Sequence, residues 1–235
     1  MQSIQDVTLG KLHAQILQPE KKANAGVLIL PSRDGLGGPL DIVLQGFAAA
    51  GLTAFAWDPY TAYGNVTSED KARISQKVQR DEIVEQEHME CLDFMRKDLA
   101  LERIGTIGFC MGGRMAIVLA AEDARINAVS AYYPTIRLPM PANVKDVIGL
   151  SPKVACPVEV HYPGKDILTT YESFQKLRAA LESRKVLAAT LTYFHPDATH
   201  SFFPEPHEPN RPDEVAAKLA WPGTLRFFQS ALLNS

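Results

Sequence analysis

Arg103-Ile-Gly-Thr-Ile-Gly-Phe-Cys-Met-Gly-Gly-Arg114 is the stretch from which the rest of this chain can be read. Ile104–Gly108 is a short apolar run between glycines, the pattern of a buried strand. Met115–Ala121 is apolar almost all round, as a buried helix is. Between them, Gly108-Phe-Cys-Met-Gly112 places glycines two before and two after a cysteine. A strand that turns directly into a helix strains the middle residue and lifts its side chain clear of the backbone. Glycines at those two positions leave room for so sharp a turn, the arrangement of a nucleophile elbow. Cys110 would then hold its sulfur at a helix start, where backbone dipoles favour thiolate. The Met111 N–H would point the same way and serve an oxyanion. The competing reading is an inert core thiol, since free cysteine is among the most buried residue types.

On either side of this stretch, short apolar runs alternate with helix-spaced segments. Val7–Leu17 alternates loosely and reads as one edge strand. Gly26–Leu30 is continuously apolar, as a strand buried on both faces is. Leu40–Ala50 has helical spacing and Leu52–Trp57 is the next strand. Ser68 opens a helix in the most polar section, and Ile83, Met89, Leu92 and Met95 give a second helix its apolar stripe. Ala128–Tyr133 and Val158–Tyr162 read as strands, with a loop or short cap over 135–153 between them. Tyr171–Ser183 is a helix, Leu187–Phe194 a strand, and the final helix starts at Asp213, breaks near Pro222 and resumes to Leu233. This alternation predicts an α/β fold: one domain over 1–235, with a mostly parallel sheet covered by helices on both faces.

In such sheets ligands sit at the carboxyl ends of the strands. Three loops there carry suitable side chains: Cys110, then Pro163-Gly-Lys-Asp166, then His195-Pro-Asp-Ala-Thr-His200. The order nucleophile, acid, histidine is that of the α/β-hydrolases. His200 would take the thiol proton and Asp166 would orient the ring. His195 is the rival base; turn and loop polarity are the plain alternatives for Asp166 and His200. In the glycine-rich loop Ser32–Gly38, the Gly35 N–H is the second oxyanion donor expected. Asp34 could hold the resting thiol and Arg33 could bind an anionic group. Thr61–Asn65 and Pro134–Pro141 are the expected pocket walls.

Gly-Phe-Cys-Met-Gly-Gly, Gly-Lys-Asp and Ala-Thr-His-Ser-Phe together resemble the dienelactone hydrolase, or carboxymethylenebutenolidase, family, from about Val27 to Leu233. The resemblance implies a Cys110–Asp166–His200 triad acting on a small ester or lactone, an anionic one in the dienelactone case, without a metal or other cofactor. Family members carry a glutamate that holds the resting cysteine, and Asp34 stands at the matching place. They also grip the substrate carboxylate with arginines, one of them four residues after the catalytic histidine. Here that position is Pro204, so Arg211, Arg73 or Arg80 would have to replace it.

The chain has 235 residues, a net charge of −3 and three cysteines without metal spacing. That charge predicts neither nucleic-acid nor membrane binding. The first residues lack the pattern of a signal peptide, and the sparse cysteines suit a reducing, cytoplasmic setting. The expected function is lactone or small-ester hydrolysis through a thioester. The alternatives are a thiol-based redox sensor using Cys110 and a hydrolase-like fold that only binds. The sequence leaves the oligomeric state open.

Overall fold

The computed structural model describes residues 3–64, 66–67, 69–71, 73–74, 81–142, 144–205 and 207–233. Eight strands form one sheet: β1 (Gln5–Leu9), β2 (Leu12–Leu17), β3 (Ala25–Leu30), β4 (Thr53–Trp57), β5 (Arg103–Phe109), β6 (Ile126–Tyr132), β7 (Val158–Pro163) and β8 (Thr190–His195). Their order is β1-β2-β4-β3-β5-β6-β7-β8. β2 runs antiparallel to both neighbours and every other pairing is parallel. The expected α/β architecture is therefore the one the chain adopts.

β3 and β4 are buried at every position, which is why their sequences are apolar without alternation. Helices α1 (Gly38–Ala49) and α6 (Pro212–Leu232) cover one face, around Phe47, Phe228 and Leu232. Helices α2 (Asp81–Lys97), α3 (Met111–Glu122) and α5 (Tyr171–Glu182) cover the other, around Met95, Ile117 and Leu177. The segment read as a loop or cap contains a single helical turn, α4 (Val147–Leu150), capped by Asp146, followed by a 3-10 turn over Ser151–Lys153. Among the described residues no helix is long and apolar enough to cross a membrane.

Three expectations need correction. Val7–Leu17 is not one strand but parts of two, paired as a hairpin whose turn holds Gly10 at a φ of 59°. α6 does not break at Pro222; it is continuous over 21 residues. A proline removes one helical hydrogen bond, but Trp221 packs on Phe47 and Phe203, and Phe228 is also locked against Phe47. Met89, assigned to the buried stripe of α2, is 44% exposed, and its sulfur meets Arg125 instead. Ser68, Asn65 and Arg80 lie outside the described residues.

Candidate active site

Parallel strands joined by helical crossovers all end on the same edge of the sheet. β5, β6, β7 and β8 are consecutive neighbours, with Phe109 beside Tyr132, Tyr132 beside His161 and Pro163 beside His195. The residues that follow these strands therefore emerge side by side. Cys110 follows β5 directly, Asp166 follows β7 and His200 follows β8.

Cys110 sits at φ 56°, ψ −115°, the left-handed strain expected of an elbow. The glycines are required by close approach. A Cβ on Gly108 would lie 2.0 Å from the Gly112 carbonyl oxygen, and one on Gly112 would lie 2.1 Å from that of Leu30. The elbow is thus pressed against itself and against the end of β3. Cys110 remains partly exposed.

His200 Nδ1 lies 2.9 Å from Asp166 Oδ2. The other Asp166 oxygen accepts the N–H groups of Leu168 at 2.7 Å and Thr169 at 3.0 Å, so the carboxylate is fixed from both sides. Its acceptor role requires the proton on His200 Nδ1, leaving Nε2 to face the sulfur. That Nε2 is buried and makes no hydrogen bond of regular geometry. It is nevertheless near enough to Cys110 for each group to stabilise the other's charged form.

Burial by itself would raise the Cys110 thiol. His200, the Thr135 hydroxyl and the Met111 N–H outweigh it and hold the thiol below its ordinary value. Burial would likewise lower His200, but Asp166 and the sulfur raise it to about 9. Both shifts favour a thiolate–imidazolium pair. A strained, partly exposed thiolate beside an oriented imidazolium and a helix-start N–H is suited to nucleophilic acyl transfer.

Thr135 is the residue sequence reading missed. Its Oγ1 lies 3.1 Å from the sulfur, and its N–H donates to the Cys110 carbonyl at 3.0 Å. The signal was available, since Thr135 leaves the carboxyl end of β6, next to the elbow strand. A hydrogen bond to a charged group contributes roughly 1.5–3 kcal/mol. Thr135→Val is therefore expected to move the thiolate titration up by about one pH unit or more, read by the ultraviolet absorbance of the thiolate. An unmoved titration would assign the sulfur's charge to the other neighbours.

Other expectations fare differently. The Gly35 N–H is committed to the Ser32 carbonyl at 3.1 Å, closing a turn, and in this geometry is not free for an oxyanion. Asp34 does not hold the thiol. Its carboxylate accepts the Ser32 hydroxyl at 3.0 Å and is largely exposed. Arg33 is exposed beside Asp34, Arg73 pairs with Asp70, and Arg211 pairs with Glu208 at the start of α6. A cleft of about 230 Å³ opens beside the elbow, lined among others by Leu36, Lys71, Phe109, Tyr133, Ser201 and Glu205. Its ammonium group is that of Lys71, whose Nζ donates to the Asp34 carbonyl at 2.7 Å. Among the described residues, neither 61–64 nor Pro134–Pro141 lines this cleft, although Thr135 of the second segment touches the sulfur. His195 does not face the sulfur as a rival base; its ring bonds to His161.

The family model described as "Dienelactone hydrolase family" matches residues 12–232 of this chain. The chain belongs to the dienelactone hydrolase family. Among curated relatives, it is 30% identical over 138 residues to a carboxymethylenebutenolidase of Rhodococcus opacus, a match covering 56% of this chain and 51% of that protein. The matched stretch thus spans about half the relative's length. Among solved structures, the fold is similar to a dienelactone hydrolase of Anabaena variabilis, with a TM-score of 0.68 and 20% identity, covering 98% of this chain and 97% of that one. It is also similar to P91, a dienelactone hydrolase-like promiscuous phosphotriesterase from metagenomic libraries, with a TM-score of 0.77 and 18% identity, covering 97% and 98%. At such identities the structural likeness concerns the fold.

Proposed function

We propose that this dienelactone hydrolase family member cleaves a lactone or small carboxylic ester through Cys110, His200 and Asp166. The observation that carries the reading is the 2.9 Å Asp166–His200 bond behind an imidazole facing a strained cysteine. The Cys110 thiolate attacks the carbonyl carbon, and the electron pair of the C=O bond moves onto oxygen. The Met111 N–H, directed at the sulfur's side of the elbow, stabilises that oxyanion. Collapse breaks the bond to the alkoxide, which takes the proton from His200 Nε2 and leaves a thioester on Cys110. His200, now neutral, removes a proton from water as it attacks the thioester, and the thiolate is expelled. In a lactone the alkoxide stays tethered, so its protonation by His200 is what prevents reclosure.

The cleft favours a neutral acyl group over a dienelactone-like anion. Among the described residues, Asp34 and Glu205 bring two carboxylates to its lining against the ammonium of Lys71. Burial and Asp34 both raise Glu205, as expected for a carboxylate beside another.

Acid quenching during turnover of an aryl ester, followed by peptide mass spectrometry, tests the proposal. The acyl mass is expected on the peptide bearing Cys110 and not on those bearing Cys91 or Cys156. Those two thiols are buried, and burial pushes both up, Cys156 to about 11. Turnover with no trapped adduct on Cys110 would move the nucleophile elsewhere.

The pH profile follows from the two shifts. Below the lowered Cys110 value the sulfur is protonated, so kcat/KM rises as pH increases through it. Above about 9 His200 loses the proton it must give the leaving group, so the rate falls. The two limbs belong to the coupled pair. A rate still climbing well past pH 9 would contradict the imidazolium's role.

A further inference from the structure

A second carboxylate–histidine arrangement lies beneath the site, on β7, two strands over from the β5 strand that carries the sulfur. Glu159 on β7 is fully buried. Its Oε1 receives the Ser130 hydroxyl at 2.8 Å, the Thr224 hydroxyl at 2.6 Å and His161 Nε2 at 2.9 Å. Its Oε2 has no hydrogen-bond partner among the described residues. Since Thr224 gives its one proton to the carboxylate, it accepts from Tyr132 OH at 2.8 Å. Burial would raise Glu159, but His161, Thr224 and Ser130 together hold it below the usual carboxylate range.

The chain continues outward. His161 Nδ1 lies 3.1 Å from His195 Nε2, and the His161 ring is stacked between Tyr132 and Tyr193. A carboxylate only accepts, so His161 carries its proton on Nε2. That leaves Nδ1 for the bond to His195. Burial and the neighbouring His161 keep His195 low, at about 4, and hence neutral. The bonds therefore form one continuous chain linking His195, His161 and Glu159.

Both histidines hold backbone that carries the proposed triad. The His195 carbonyl accepts the Gly164 N–H at 2.7 Å and the Ala198 N–H at 3.2 Å, and Lys165 N–H donates to the Ala198 carbonyl at 3.0 Å. Asp166 and His200 each stand two residues from one of these ties. The His161 carbonyl accepts the Tyr133 N–H at 2.8 Å, and the Tyr133 ring meets the His200 ring edge-on at 4.8 Å. A buried ionised carboxylate costs several kcal/mol of desolvation. An apolar residue at 159 would support the sheet without that cost, so packing alone does not account for it.

We infer that Glu159, His161 and His195 are positioning residues that set, through the exits of β7 and β8, the relative placement of Asp166, His200 and Cys110. The turnover readout rests on the hydrolase reading above; the thiolate titration does not, because it needs no substrate.

The test compares His195→Phe, His195→Gln and Glu159→Gln by kcat, KM and the ultraviolet titration of the Cys110 thiolate. His195→Phe fills the space but cannot hydrogen-bond to His161. It is expected to lower kcat about tenfold with KM little changed, because displacement of a catalytic group acts on the reacting geometry. It should also raise the apparent thiolate pKa. His195→Gln keeps a side chain able to hydrogen-bond to His161 and is expected to restore most of both. Glu159→Gln removes the anchoring charge at constant size and is expected to shift the titration in the same direction as His195→Phe. Wild-type kcat and an unmoved titration in His195→Phe overturn the inference, whatever the melting temperature does. Equal loss in His195→Phe and His195→Gln also overturns it. If His195→Phe fails to fold, an unmoved titration in Glu159→Gln is the overturning result. If wild type hydrolyses no ester yet the titrations shift as expected, the hydrolase reading fails and the positioning stands.

Discussion

Cys110→Ala is expected to lower ester or lactone turnover by about 10⁴-fold or more while leaving the fold intact. The sulfur is partly exposed and is held by polar neighbours such as the Thr135 hydroxyl, so little packing depends on it. The melting temperature should therefore stay close to wild type. The rate should not, because without sulfur no thioester forms, and His200 and Met111 are left only to assist direct attack by water. Cys110→Ser sharpens the result. A hydroxyl fits the space, but the environment that lowers a thiol falls far short of ionising an alcohol. His200 would have to act as a general base from neutral imidazole rather than start as imidazolium. Serine is expected to recover a small part of the activity and to lose the thiolate absorbance altogether. Unchanged turnover in Cys110→Ala rejects the nucleophile, and a collapsed melting temperature would mean the variant reports on folding instead.

Gly112→Ala is expected to destabilise this chain strongly. The new Cβ would lie 2.1 Å from the Leu30 carbonyl oxygen and 2.5 Å from that of Pro31. Both are backbone atoms at the end of a fully buried central strand, so no flexible side chain can yield. Overpacking a core costs typically 1–3 kcal/mol and occasionally more; with rigid backbone on both sides, at least about 3 is expected. For a protein of this size that lowers the melting temperature by roughly 6–12 °C. Activity should fall further than stability, because α3 and the Met111 N–H would be pushed off the elbow. Gly223→Ala is the matched control. It lies inside α6, and its added Cβ meets nothing within 4 Å. Removing a helical glycine there should stabilise by about 0.5–1 kcal/mol. Similar melting temperatures for the two variants would show that the strand end moves aside to accommodate the methyl.

The contrast between these glycines explains how much could be read before folding. The Gly-Phe-Cys-Met-Gly stretch announces its structure because its requirement is local: a strand turning straight into a helix has few solutions. The same holds for the continuous apolar runs of β3 and β4, which need only burial on both faces. Asp166 and His200 were reachable through one topological rule, since parallel strands deliver their exits to a common edge.

Where long-range contacts compete with local preference, the reading failed. Pro222 looks like a break, but the aromatic packing of Trp221 and Phe228 keeps α6 whole. Gly35 looks like a free donor, but its N–H turns back to Ser32. Arg211 looks available for a substrate carboxylate, but it is drawn to Glu208 on the surface.

By itself, then, the sequence determined the architecture, the elbow and the three residues of the proposed triad, because strand periodicity and chain order constrain them without reference to distant atoms. Tertiary structure alone decided which side chains surround the sulfur. Thr135 instead of Asp34 at the thiol, Lys71 in the cleft, and the buried Glu159–His161–His195 chain all depend on the register between neighbouring strands. That register fixes ångström-scale distances between residues tens of positions apart, and no pattern along one strand records it.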